Sequence, residues 1–119
     1  MRLQGKIALV TGGTKGIGAA TAVELARRGA DIAISGRHDD AEAAAVRASV
    51  ESQGRRCVMI LADMAAPADA TRCVHETVEL LGGMDVMIHS AGAAAPGSIL
   101  EIPPEQWMVA FDVHIHAIY

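Results

Sequence analysis

The sequence predicts an α/β fold, a doubly wound parallel sheet that is incomplete. Three observations predict it. Short apolar runs recur along the chain, and each is followed by a stretch with helical spacing of apolar residues. The first run ends in a glycine-rich turn, Thr11-Gly12-Gly13-Thr14-Lys15-Gly16-Ile17-Gly18, that leads straight into a helix. The runs are apolar throughout, as strands are when helices cover both faces of a sheet. Right-handed crossovers with a switch after the third strand put the strands in the spatial order 3-2-1-4.

The first strand covers residues 7–10. The helix after the turn carries Gly18, Ala22, Leu25 and Ala26 on one face, with Glu24, Arg27 and Arg28 opposite. Gly29 is placed to end it. Residues 31–35 form the second strand, and residues 36–40 form the loop beyond it. Residues 41–52 are an alanine-rich helix that ends near Gly54. Residues 57–61 are the third strand. Pro67 opens the next helix, whose inner stripe reads Ala70, Cys73, Val74, Thr77, Val78 and Leu81, and Gly82-Gly83 stops it. Residues 86–88 are the fourth strand. A loop over residues 90–100 holds Gly92, Pro96 and Gly97. Pro103-Pro104 starts a last helix that is apolar nearly all round and whose pattern runs to Tyr119.

Composition narrows the function. The chain has 119 residues, a hydrophobic content of 51% and a net charge of −4, so it is globular. It carries no basic block, and aromatics are 3%, which argues against a nucleic-acid partner. No run is long enough for a membrane span, and no leader-type apolar stretch precedes the first strand. Cys57 and Cys73 form no CxxC and read as buried thiols in a reducing compartment. The expectation is a cytoplasmic protein.

The glycine turn is read as a grip for a pyrophosphate. Bare backbone at a helix start presents N–H donors and the positive end of the helix dipole to an anion. Side chains at Gly12, Gly16 or Gly18 would obstruct that approach or require a disfavoured backbone.

The spacing Thr-Gly-x-x-x-Gly-x-Gly resembles the short-chain dehydrogenase/reductase family, a group with a Rossmann-like fold. Further matches fall in the family's order. Asp63-Met64 follows the third strand. His89-Ser90-Ala91-Gly92 stands where the family has Asn-Asn-Ala-Gly. Trp107 lies in the last helix, followed by Asp112-Val113-His114 where the family has Asp-Val-Asn. The resemblance covers residues 5–119, which is about the first half of a typical member. Residues 1–119 therefore read as the N-terminal part of one dinucleotide-binding domain, with the C-terminal catalytic part absent.

The resemblance implies a cofactor site made of Gly12, Thr14, Lys15, Gly16, Ile17, Gly18, Arg37, Asp63, Met64, His89, Ala91 and Gly92. Asp63 would accept from the adenine amino group beside the Met64 backbone, and Ala91 and Gly92 would pass the ribose. An acid at the end of the second strand would read the ribose 2′-OH of NAD. Gly36 stands there instead, followed by Arg37, and Lys15 adds a second cation. That pair suits the 2′-phosphate of NADP(H) over NAD(H). Asp39 and Asp40 are alternative partners for Arg37.

His114 stands at the position of an asparagine that holds a proton-relay water in the family. On the residues alone it reads as a packing histidine, on one apolar stripe with Trp107 and Phe111. His114 and His116 point to different helix faces and suggest no metal site. The family's hydride chemistry needs a Tyr-x-x-x-Lys pair and an upstream serine. The lysines here are Lys6 and Lys15, and the one tyrosine is Tyr119, so no such pair exists in these residues.

The expected function is an NADP(H)-dependent oxidoreductase acting on a small carbonyl or alcohol substrate as a homo-oligomer, with the catalytic residues outside this stretch and no turnover by this stretch alone. Two alternatives stand beside it: a non-enzymatic NADP(H)-binding module, and an inactive gene remnant.

Overall fold

The computed structural model describes residues 2–92 and 97–119. Four strands, β1 (Ile7–Thr11), β2 (Asp31–Gly36), β3 (Cys57–Leu61) and β4 (Val86–His89), form one sheet in the order β3-β2-β1-β4. All three strand pairings are parallel. The order agrees with the sequence prediction. Helices α1 (Gly16–Arg27), α2 (Ala41–Glu51), α3 (Pro67–Leu81) and α4 (Pro104–His114) alternate with the strands, and a 3₁₀ turn covers His116–Ile118.

The period-two alternation of strand side chains builds two cores. Ala8, Val10, Ile32 and Ile34 face α1 and α2, where they meet Ala22, Ala26, Val46 and Val50. Leu9, Ala33 and Ile60 face the other way and pack with Cys73, Leu81 and Val113 of α3 and α4. Small residues on α1 let it lie close to the sheet, since Gly18, Ala22 and Ala26 are its buried positions.

Several boundaries differ from the sequence reading. Strands β1, β2 and β4 each run one residue further, to Thr11, Gly36 and His89. Ser52 is the C-cap of α2 and lies outside the helix. Val78 belongs to the stripe by spacing but is exposed, at 45%. The last helix does not run to Tyr119. It ends at His114, with Ile115 as its C-cap, and the chain goes on into the 3₁₀ turn. Val113 is the helix's buried residue, while Trp107, Met108, Val109 and Phe111 are exposed. Pro96 of the predicted loop lies outside the described residues.

Asp31 anchors the start of β2. Its carboxylate is buried and receives Arg55 and Arg56, each at 2.7 Å, and also the Arg56 backbone N–H at 3.1 Å. Arg56 continues to the Leu81 carbonyl at 3.0 Å, so one carboxylate ties β2, β3 and the end of α3 together. Burial alone would raise the Asp31 pKa, but the Arg56 hydrogen bonds and the two guanidinium charges outweigh it and hold it below the ordinary 3.8.

Candidate functional site: a crevice at the carboxyl ends of the strands

The C-terminal ends of the four strands open into a crevice of about 590 Å³, a size within the range of small-molecule sites. Its floor and walls include Gly12, Thr14, Lys15, Gly16 and Ile17 from the β1–α1 turn and Gly36 and Arg37 from the end of β2. Asp63 and Met64 follow β3, Ala91 and Gly92 follow β4, and Val109 and Val113 face in from α4. This is the switch point between β1 and β4, where open α/β sheets place their ligands.

The turn takes its shape from glycine. Gly12 and Gly16 have φ of +62° and +57°, a region that side-chain-bearing residues rarely enter. A methyl group on Gly12 would also stand 2.7 Å from the Ala91 Cα, so the β1 turn and the β4 loop lie backbone to backbone. A methyl group on Gly18 would run into the Gly12 carbonyl oxygen. Gly18 is thus a packing residue that sets α1 against the turn, and it does not line the crevice.

Among the described residues no side chain caps the N-terminus of α1, and its first turn holds no acid. Its leading N–H groups therefore lack the usual side-chain acceptor. Lys15 is the N-cap residue and is exposed, as are Ile17 and Arg37. This backbone cradle fits a phosphate anion on geometry alone.

Asp40 lies on the crevice rim but is not a partner of Arg37. Its carboxylate accepts the Ala43 N–H at 3.0 Å and caps α2. That hydrogen bond, aided by Lys15, holds the Asp40 carboxyl below its ordinary range. Among the described residues Arg37 has no ion pair. The Asp63 carboxylate accepts the Ala65 N–H at 2.9 Å through Oδ1, and its backbone N–H donates to Asp69 at 2.8 Å. The Oδ2 edge of Asp63 is left without a protein hydrogen bond among the described residues.

His89 does not line this crevice. Its ring bridges β1 and α4 instead. Nε2 lies 2.7 Å from the Val113 carbonyl oxygen, which can only accept, so Nε2 carries the proton. In the neutral ring Nδ1 is then an acceptor, and it takes the Thr11 hydroxyl hydrogen at 2.8 Å. The same Thr11 oxygen accepts from the Ser90 and Ala91 N–H groups, both at 3.2 Å. Both ring nitrogens are committed, and the histidine works at one remove, through Thr11, on the wall that Ala91 and Gly92 form.

His114 is exposed. Its ring covers Gly92, where an added methyl group would come within 2.6 Å of the imidazole Cε1. His116 pairs with Asp112 at 3.0 Å. Among the described residues no group of three His, Cys, Asp or Glu side chains could hold a metal ion.

Sequence reasoning missed the roles of Thr11, Asp40 and Gly13. The signal for Asp40 was present, because an aspartate directly ahead of an alanine run is a helix-start signature. Gly13 packs where a methyl group would meet the Ile34 side chain at 2.7 Å, a contact that no local pattern announces.

The fold and the turn define a Rossmann-like nucleotide-binding protein. More narrowly, the chain belongs to the short chain dehydrogenase family, whose pattern it matches over residues 6–119. It is 38% identical over 117 residues to the L-rhamnose 1-dehydrogenase (NAD(P)(+)) of Sphingomonas sp. (strain SKA58), covering 98% of this chain and 46% of that protein. A short chain dehydrogenase from Burkholderia cenocepacia J2315, solved in complex with NADP, superposes with a TM-score of 0.95 at 41% identity, covering 99% of this chain and 48% of that one. The NADH-dependent reductase A1-R′, solved with NAD, superposes with a TM-score of 0.90 at 33% identity, covering 98% and 49%. The chain thus spans about half the length of the relatives it matches. No helix among the described residues is long and apolar enough to cross a membrane.

Proposed function

We propose that this chain supplies the coenzyme-binding half of an NADP(H)-dependent oxidoreductase. The observation that carries the reading is the uncapped α1 N-terminus opening on a crevice whose rim bears Lys15 and Arg37, with no side chain at Gly36. When bound, the coenzyme would supply hydride exchange with a carbonyl or alcohol carbon of a small substrate. Gly12, Thr14, Gly16 and the Ile17 N–H hold the pyrophosphate, and Gly18 keeps α1 aligned with it. Lys15 and Arg37 neutralise a 2′-phosphate, which an acid at the end of β2 would repel. Asp63 accepts from the adenine amino group through its uncommitted oxygen, beside the Met64 backbone. Ala91 and Gly92 pass the ribose, and His89 holds that wall through Thr11.

His114, lying over Gly92, is placed at the nicotinamide end of the crevice in this reading. The acid/base pair of the family's chemistry has no counterpart among these residues. Cys57 and Cys73 are free thiols, which supports a reducing, cytoplasmic setting. The exposed Trp107, Met108 and Phe111 support a homo-oligomer that covers α4 with a second copy.

Calorimetric titration tests the coenzyme reading. NADPH is expected to bind at least about tenfold more tightly than NADH. Equal affinity, or no heat with either coenzyme from folded protein, overturns it.

A further inference from the structure

Gly36 and Thr14 meet at the edge of the crevice. A methyl group built on Gly36 would lie 2.9 Å from the Thr14 Cγ2, 3.3 Å from its Oγ1 and 3.5 Å from the Met59 Cε. The first distance is too short for two carbons that are not bonded, so something must move. Neither backbone is free to do so. The Gly36 carbonyl accepts the Ala62 N–H at 2.9 Å, which pins the end of β2 to the chain leaving β3. The turn that carries Thr14 is pinned to β2 by the Gly13 N–H on the Ser35 carbonyl at 3.1 Å. It is also packed on Ile34 through Gly13. Thr14 itself is buried, at 8% exposure, and is β-branched, so swapping its methyl and hydroxyl leaves a heavy atom near the contact.

We propose that Thr14 is a specificity-determining residue: its side chain fills the space that any side chain at position 36 needs, and so bars the carboxylate that would read a ribose diol. The inference rests on the NADP(H) reading above and adds a cause to it. Coenzyme choice is set by a pinch between two elements as well as by the charges of Lys15 and Arg37. The strand end stays bare because Thr14 is there. An acid at position 36 cannot convert the site until Thr14 loses its methyl group.

Two measurements on the intact protein test this. The first is a thermal double-mutant cycle that needs no coenzyme. Gly36→Ala is expected to lower Tm by at least about 4 °C, and Thr14→Ser to remove more than half of that loss. The second is coenzyme titration. Gly36→Asp alone is expected to weaken NADPH by at least about tenfold without improving NADH, whereas Gly36→Asp with Thr14→Ser is expected to bind NADH at least about tenfold more tightly than the single variant. An NADH-preferring Gly36→Asp single variant overturns the proposal, and so do additive Tm changes. The coenzyme reading is judged separately, on the wild-type protein. If that protein takes neither coenzyme, or NADH over NADPH, the NADP(H) reading fails and the role given to Thr14 falls with it. If wild type prefers NADPH while the cycle is additive, the reading stands and Thr14 is cleared.

Discussion

Arg37 follows directly on the bare strand end at Gly36 and is exposed to solvent. A cation in that position is held ready for a doubly charged phosphate and contributes little while it stays hydrated. Arg37→Asp is therefore expected to leave Tm within about 2 °C and to weaken NADPH by at least about tenfold, moving preference towards NADH. Asp31 is the opposite case, a buried carboxylate whose worth is structural. Its pKa is lowered in the folded state, so its contribution is complete above the ordinary 3.8 and is lost as pH falls through the folded value. Asp31→Asn is expected to cost roughly 1–3 kcal/mol at pH 7, and urea melts should show that difference shrinking below about pH 4. Cys57 tests the burial of the β3 edge. Burial pushes its thiol up to about 11, so alkylation of native protein at pH 8 should be slow and should accelerate once the protein is unfolded.

At the scale of elements, the apolar runs and glycines foretold each strand and helix, because periodicity and turn chemistry are local properties. The ends of the elements were less legible. The boundary at Asp40 depends on one carboxylate turning back to Ala43. Asp40→Ala is expected to cost about 1 kcal/mol, read from chemical denaturation, with α2 fraying first in hydrogen exchange. The end of α4 at His114 was hidden because nothing in the residues after it breaks a helix. The role of His89 was only half legible. A hydrogen-bonding residue there announces a tie between neighbouring strands, but no pattern in the sequence says that the ring also reaches the Val113 carbonyl. His89→Leu would orphan that carbonyl and leave the Thr11 hydroxyl hydrogen without its acceptor. It is expected to cost roughly 2–3 kcal/mol in denaturant unfolding, whereas His89→Asn should recover part of the loss.

Seen whole, the molecule is one sheet with a core on each face, and that much was legible because only a few arrangements bury four strands and their crossover helices. An apolar helix of this kind needs a cover on both sides, and in these residues one side stays bare: Trp107 and Phe111 lie against each other at 5.3 Å in the open. Among the described residues β4 pairs only with β1, so one strand edge also keeps unpaired backbone groups. A polypeptide of these 119 residues is expected to self-associate at micromolar concentration, visible as concentration-dependent sedimentation, and Trp107→Lys should suppress it.

The central position of β1 also orders events in time. It joins β2 early, Ile7 beside Asp31, but its other partner lies 78 residues away, where Thr11 meets His89. On a growing nascent chain the first pairing can close long before the second partner has been synthesised. The clasp at Thr11 is then among the last contacts to form, and its loss should hasten unfolding while leaving the refolding rate nearly unchanged.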